Sequence, residues 1–215
     1  MQCLIITGGS IDYDFAIKYI EERMWDYIIC ADAGMKFCHE AEILPDLILG
    51  DFDSVDEESY EYFKTVCPER MEQFPTHKDE TDTELALLRA IEAGADAVTM
   101  IGATGTRLDH VMGNIQMLKL ALDRQVSCQI VDAHNRIRMV QGEVTLKKAD
   151  QFGKYVSLLP FTPEATGITL KGFAYEVEDF TLVSGTARGV SNELDAETAT
   201  IHCKDGILLV IESRD

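Results

Sequence analysis

Basic residues are scarce: 19 Lys and Arg stand against 38 Asp and Glu, for a formal net charge of −19 over 215 residues. Nucleic acid is bound by basic surfaces, so this balance speaks against a nucleic-acid partner. It leaves room for a small phosphorylated ligand, which needs only a few local cations and a metal. No apolar run approaches the roughly 20 residues that span a bilayer, so no membrane partner is expected. No secretory signal is legible, since charged residues begin by Asp12 and no cleavage pattern follows. Paired cysteine motifs are lacking too. Cys3, Cys30, Cys38, Cys67, Cys128 and Cys203 are dispersed, several in apolar runs, and read as reduced core residues of a cytoplasmic protein. Cys38-His39 and His202-Cys203 place neighbouring ligands at a spacing unusual for zinc. Repeats and low-complexity segments are absent. What is present is an ordinary globular composition, 46% hydrophobic and 27% charged, with length for one or two domains.

The first 130 residues alternate short apolar runs with helical patterns. Cys3-Leu4-Ile5-Ile6 leads into Thr7-Gly8-Gly9-Ser10, Tyr27 to Ala31 into Asp32-Ala33-Gly34, and Leu47-Ile48-Leu49 into Gly50-Asp51-Phe52-Asp53-Ser54. Ala97 to Ile101 leads into Gly102 through His110. Strands alternating with helices predict a parallel sheet, whose ligands bind beyond the carboxyl ends of the strands. The Gly8-Gly9 loop reads as a tight turn or as amides facing phosphate. In an extended chain, Asp51 and Asp53 would share one face and could point at one hard cation, magnesium for example. The alternative is an acidic turn in which Asp53 or Ser54 caps the next helix. Lys78, Asp79 and Asp82 precede or open a helix, and Thr81 with Glu84 fits a capping box. A helix N-terminus attracts anions, and Lys78 offers a point charge. Arg107 and Asp109 read either as a phosphate fork with its partner or as an ion pair beside a helix cap. His110 and Asn114 lie four apart on one helix face.

Beyond Asp132 the pattern changes. Short β-prone runs recur at Arg138-Met139-Val140, Val144-Thr145-Leu146, Tyr155 to Leu159, Gly167 to Leu170, Thr181-Leu182-Val183 and Gly206 to Ile211. They predict an antiparallel sandwich or barrel after a boundary near Asp132 to Arg136. The expected class is therefore α/β plus all-β: an N-terminal parallel-sheet, Rossmann-like domain over 1–133, then a β-sandwich over 134–215. Ser191-Asn192 reads by composition as a turn.

In order, Asp32-Ala33-Gly34, GDFDS at 50–54, KDETD at 78–82, Arg107-Leu108-Asp109-His110 and Ser191-Asn192 resemble the thiamine pyrophosphokinase family along nearly the whole chain. The resemblance implies an ATP-binding α/β domain and a thiamine-binding, dimerising sandwich. It implies a homodimer with thiamine near the subunit interface, and transfer of the diphosphoryl group of Mg-ATP to the thiamine hydroxyl, giving thiamine diphosphate and AMP. Carried over by motif, Asp51, Asp53 and Asp82 hold magnesium, and Asp32, Thr81, Arg107 and His110 join them around the nucleotide. Lys78, Asp82, Arg107 and Asp109 serve catalysis, and Ser191 and Asn192, with Asp82, face thiamine. Two departures stand out: Ala33-Gly34 and Gly105-Thr106 occupy places where the family usually has Gly-Gly. The lone Trp25 is far in sequence from Ser191, so the aromatic that stacks on thiamine in some members has no Trp counterpart. Rival readings are a diphosphokinase for a pterin-like alcohol, a metal-dependent phosphohydrolase, and a non-catalytic nucleotide- or thiamine-binding regulator.

Overall fold

The computed structural model describes residues 1–75 and 79–215, and divides into two units, Met1–Ala133 and His134–Asp215.

In the first unit six parallel strands run in the order β6-β5-β1-β2-β3-β4. They are β1 (Gln2–Ile6), β2 (Tyr27–Ala31), β3 (Leu47–Gly50), β4 (Met71–Gln73), β5 (Ala97–Ile101) and β6 (Ser127–Val131). Leu4, Ile5, Ile6, Ile29, Ile48, Leu49 and Met100 are fully buried, because a parallel sheet is covered on both faces and selects unbroken apolar runs. Among the described residues five α-helices connect or flank the strands: α1 (Tyr13–Glu21), α2 (Gly34–Glu40), α3 (Glu57–Val66), α4 (Asp82–Glu92) and α5 (Leu108–Asp123). Their starts follow local chemistry. Asp12 accepts from the Phe15 amide at 2.9 Å, Asp56 from Ser59 at 2.9 Å, and Thr81 from Glu84 at 3.1 Å. The cap of α3 is thus Asp56, not Asp53 or Ser54. Strand order reverses between β1 and β5, which makes the crevice beyond their carboxyl ends the switch point of the sheet.

The second unit is antiparallel throughout. The runs at 138–140 and 144–146 are one strand, β7 (Asn135–Lys147), and the run near 206–211 is part of the longer β12 (Thr198–Ser213). The sequence hides this continuity because Gly142 and Gly206, at φ 82 and 99, mark the irregular crossing at which four residues of β12 bulge past β7. The bulge bends the hairpin. Its first part pairs with β9 (Glu164–Lys171), which pairs with β10 (Val177–Val183). Its second part pairs with β8 (Tyr155–Pro160), which pairs with β11 (Asn192–Glu193). Leu146, Val156, Leu158, Ile168, Leu170, Leu182, Ile201 and Val210 form the core of this unit.

Candidate active site

A cleft of about 450 Å³ opens at the switch point of the α/β unit. Two glycine-bearing loops form its floor. The amides of Gly9 and Ser10 donate to the carbonyls of Gly102 and Thr104, both at 2.7 Å. A Cβ on Gly9 would stand 2.1 Å from the Gly102 oxygen, so glycine is there for backbone-to-backbone approach. The reading of this loop as a set of amides facing phosphate is corrected for Gly9 and Ser10, whose amides are already used. Ala33 fits against Gly8: a Cβ built on Gly8 would lie 2.6 Å from the Ala33 methyl, so the missing side chain at one position makes room for the extra methyl at the other.

The acidic cluster forms where β2 and β3 end. Asp32, Asp51 and Asp53 each place a carboxylate oxygen within 4.8 Å of the others, and this is the only group of three or more potential metal ligands among the described residues. Among the described residues no Cys/His set of that size accompanies it. Gly50 permits the approach, since a Cβ there would be 3.1 Å from both Cα and Cβ of Asp32. The extended-strand argument for Asp51 and Asp53 does not survive. β3 ends at Gly50, and Phe52 takes a left-handed φ of 64. The Asp53 amide turns back onto Asp51 Oδ1 at 3.1 Å, while Ser54 Oγ donates to Asp53 Oδ1 at 2.8 Å. The Phe52 ring packs on Tyr60 with centroids 5.7 Å apart.

Asp32 carries the electrostatic signature of the cluster. Burial pushes its carboxyl up to about 6, reinforced by the charges of Asp82, Asp51 and Asp53 and opposed by the Ala33 amide. Its Oδ1 is buried with no hydrogen-bond partner. An orphaned carboxylate oxygen among other carboxylates fits a hard cation such as magnesium, which the protein would hold through oxygen ligands.

The N-termini of α4 and α5 border the same cleft. Thr81, Asp82 and Thr83 line it from α4, and Arg107, His110 and Asn114 line it from α5. Thr83 Oγ1 lies 3.0 Å from Thr7 Oγ1, and Asn114 Nδ2 donates to the Ala103 carbonyl at 2.7 Å, fixing both helices to the loops. Arg107 is the N-cap residue of α5, without a side-chain cap. Its fork grips Asp109 through Nη2 at 2.6 Å and Nε at 3.3 Å, which holds the Asp109 carboxyl down to about 2. Asp109 is therefore the partner of Arg107 and not the helix cap. Lys78 lies outside the described residues.

Ser191 and Asn192 belong to the second unit, on the wall of a separate cavity of about 290 Å³ lined chiefly by apolar side chains such as Leu158, Leu170 and Phe180. The Ser191 amide is fixed on Ser157 Oγ at 3.0 Å, and Ser191 itself is left-handed at φ 62. Tyr175, 73% exposed, lines the cavity beside them and was missed in the sequence. The connector at 172–176 carries two aromatics, Phe173 and Tyr175, and nothing in the sequence separates the buried ring from the exposed one. Trp25 belongs to the first unit, where its Nε1 donates to the Ile20 carbonyl at 3.1 Å and its ring stacks on Tyr19.

The fold and the cleft define a structural class: an α/β unit with an acidic, glycine-bearing cleft at its switch point, followed by an antiparallel β unit. Residues 12–131 match the model of the thiamin pyrophosphokinase catalytic domain, and residues 143–208 that of its vitamin B1 binding domain. The chain is 33% identical over 214 residues to thiamine pyrophosphokinase of Bacillus subtilis (strain 168), covering 98% of each. It belongs to the thiamin pyrophosphokinase family, enzymes of the diphosphotransferase kind. The crystal structure of the Bacillus subtilis enzyme superposes with a TM-score of 0.90 at 30% identity, over 100% of both chains. Yeast thiamin pyrophosphokinase, at 17% identity, shares the fold with a TM-score of 0.81 over 99% of this chain and 86% of its own.

Proposed function

We propose that the protein transfers the diphosphoryl group of ATP to the hydroxyl of thiamine, releasing AMP. The observation that carries this reading is Asp32, which lines the switch-point cleft together with the N-termini of α4 and α5 and has the carboxylates of Asp51 and Asp53 within 4.8 Å of its own, in a chain of this family. Asp51 and Asp53, with Asp32 and Asp82 beside them, would hold magnesium, which when bound neutralises charge on the polyphosphate. The chain's own part is positioning and charge, since phosphoryl-type transfer asks for little covalent work. The positive ends of α4 and α5 face the anionic donor. Arg107 presents its guanidinium to phosphate oxygens, and Asp109 sets the orientation of that fork. In the balanced reaction the acceptor oxygen bonds the β-phosphorus, the bond from that phosphorus to the α,β-bridging oxygen breaks, and the hydroxyl proton leaves. Asp109, held down to about 2, is a weak base. Asp82 is the better candidate to orient the hydroxyl. Lys78 adds its charge on the strength of the family motif alone.

The acceptor ring is assigned to the β-unit cavity, with Tyr175 as its aromatic wall and Ser191 and Asn192 beside it. The working form is taken as a homodimer, as the family resemblance implies. An acceptor panel tests the reading. AMP should form from Mg-ATP with thiamine and not without an acceptor. Faster AMP formation with a pterin-like alcohol would transfer the reading to that acceptor, and acceptor-independent phosphate release would make the protein a hydrolase.

A further inference from the structure

The family resemblance assigns both Ser191 and Asn192 to the thiamine side, yet the side-chain amide of Asn192 is committed to the backbone. Oδ1 accepts from the Tyr175 amide at 3.0 Å and from the Glu193 amide at 2.9 Å, and Nδ2 donates to the Tyr175 carbonyl at 2.8 Å. Both acceptor positions of the oxygen are used, and one of the two N–H donors. The side chain is only 9% exposed. It closes the same two-way pairing on Tyr175 that a neighbouring strand would supply, at a point where β9 has ended and β10 has not begun. A second tie holds the same connector, since the Ala174 amide donates to the Glu193 carbonyl at 2.9 Å and Phe173 bridges to Leu194.

The outcome of this clamp is an aromatic ring that is exposed while its backbone is fixed. Rigid aromatic side chains give contact area at low entropic cost, and a fixed backbone lowers that cost further. Tyr175 is such a ring on the wall of the apolar cavity. We infer that Asn192 is a positioning residue that acts on the acceptor through Tyr175, and that Tyr175 sets selectivity for a flat, cationic acceptor ring. A cation over an aromatic face is attracted by the ring quadrupole, which a neutral alcohol of similar size would not exploit. This inference rests on the proposed placement of the acceptor in the β-unit cavity.

A double-mutant cycle tests it, with thiamine KM, kcat and calorimetric thiamine affinity measured for each protein, and a thermal melt as the control for folding. Tyr175→Ala, at an exposed position, is expected to raise thiamine KM about tenfold with kcat changed less than threefold, the loss expected of one stacking contact. Asn192→Ala is expected to do the same, and the double variant to be no worse than about twofold beyond either single one. Tyr175→Trp should retain affinity, and Tyr175→Leu should not. If Asn192→Ala does not fold, Asn192→Ser keeps a short neutral polar side chain without the full clamp on Tyr175, and a smaller coupled loss is expected. Multiplicative effects in the double variant would overturn the positioning role and make Asn192 an independent substrate contact. An unchanged KM in Tyr175→Ala would instead remove the acceptor from this cavity, while AMP formation with thiamine would still stand.

Discussion

Replacing Asp32 by asparagine should make the metal-free protein more stable at neutral pH and weaken its response to magnesium. In the folded chain the Asp32 carboxyl is raised from 3.8 to about 6, first by burial and then by Asp82, Asp51 and Asp53. Each pKa unit corresponds to about 1.36 kcal/mol, so about two units set an upper limit near 3 kcal/mol. Partial solvent access reduces this to about 1–2 kcal/mol. For a chain of this length that is a rise in melting temperature of about 2–8 °C. The direction follows from linkage. A carboxyl with a raised folded-state pKa favours the fold below its ordinary value of 3.8, and that contribution is lost as pH rises through about 6. The advantage of Asp32→Asn should therefore be absent near pH 4 and complete by pH 7–8. Asparagine is also suited to the backbone, because Asp32 is left-handed at φ 45 and asparagine tolerates that region. The assay is a set of melts from pH 4 to 8 in chelator, repeated with magnesium. With metal the order should reverse, since the native carboxylate gains a cation and the amide does not. A variant less stable than the native protein at pH 8 in chelator, or an advantage independent of pH, would refute the cluster's electrostatics.

Three further substitutions probe separate parts of the cleft. Asp53→Asn should lower turnover at least a hundredfold and abolish magnesium binding by calorimetry, and near-normal turnover at saturating magnesium would remove Asp53 from the metal set. Gly9→Ala brings a Cβ to 2.1 Å from the Gly102 oxygen and should destabilise the α/β unit by about 3 kcal/mol in urea unfolding; an unchanged midpoint would show that the two loops can separate freely. Arg107→Lys loses the two-pronged grip on Asp109 and on phosphate. Because those side chains are 70% and 65% exposed, melts should not change while kcat/KM for ATP drops about tenfold or more, and equal activity would make the pair a surface ornament.

The legible parts of this chain are those in which local sequence fixes local geometry. Leu47-Ile48-Leu49 and Cys3 to Ile6 announce buried parallel strands because both faces of the sheet demand apolar residues, and Thr81 announces a cap because its hydroxyl reaches the Glu84 amide. The site was harder where distant segments meet. Asp32 joins Asp51 and Asp53 only because β2 and β3 are neighbours and Gly50 lets them approach, which no spacing along the chain encodes. Phe52, bulky and left-handed, defeats the extended-chain reading of its two aspartates. The β7 and β12 hairpin looked like fragments because Gly142 and Gly206 interrupt the β-prone pattern at the bend itself. Tyr175 had no periodicity to reveal it, since it stands in a connector held by Asn192, 17 positions further on.

The most direct test of the central claim is the identity of the products. The protein is incubated with Mg-ATP and thiamine, and nucleotides and thiamine phosphates are separated by chromatography. The account predicts AMP and thiamine diphosphate in equal amounts, with both the β- and γ-phosphorus of ATP in the diphosphate. ADP appearing with thiamine monophosphate, or ATP consumed with thiamine unmodified, would contradict it.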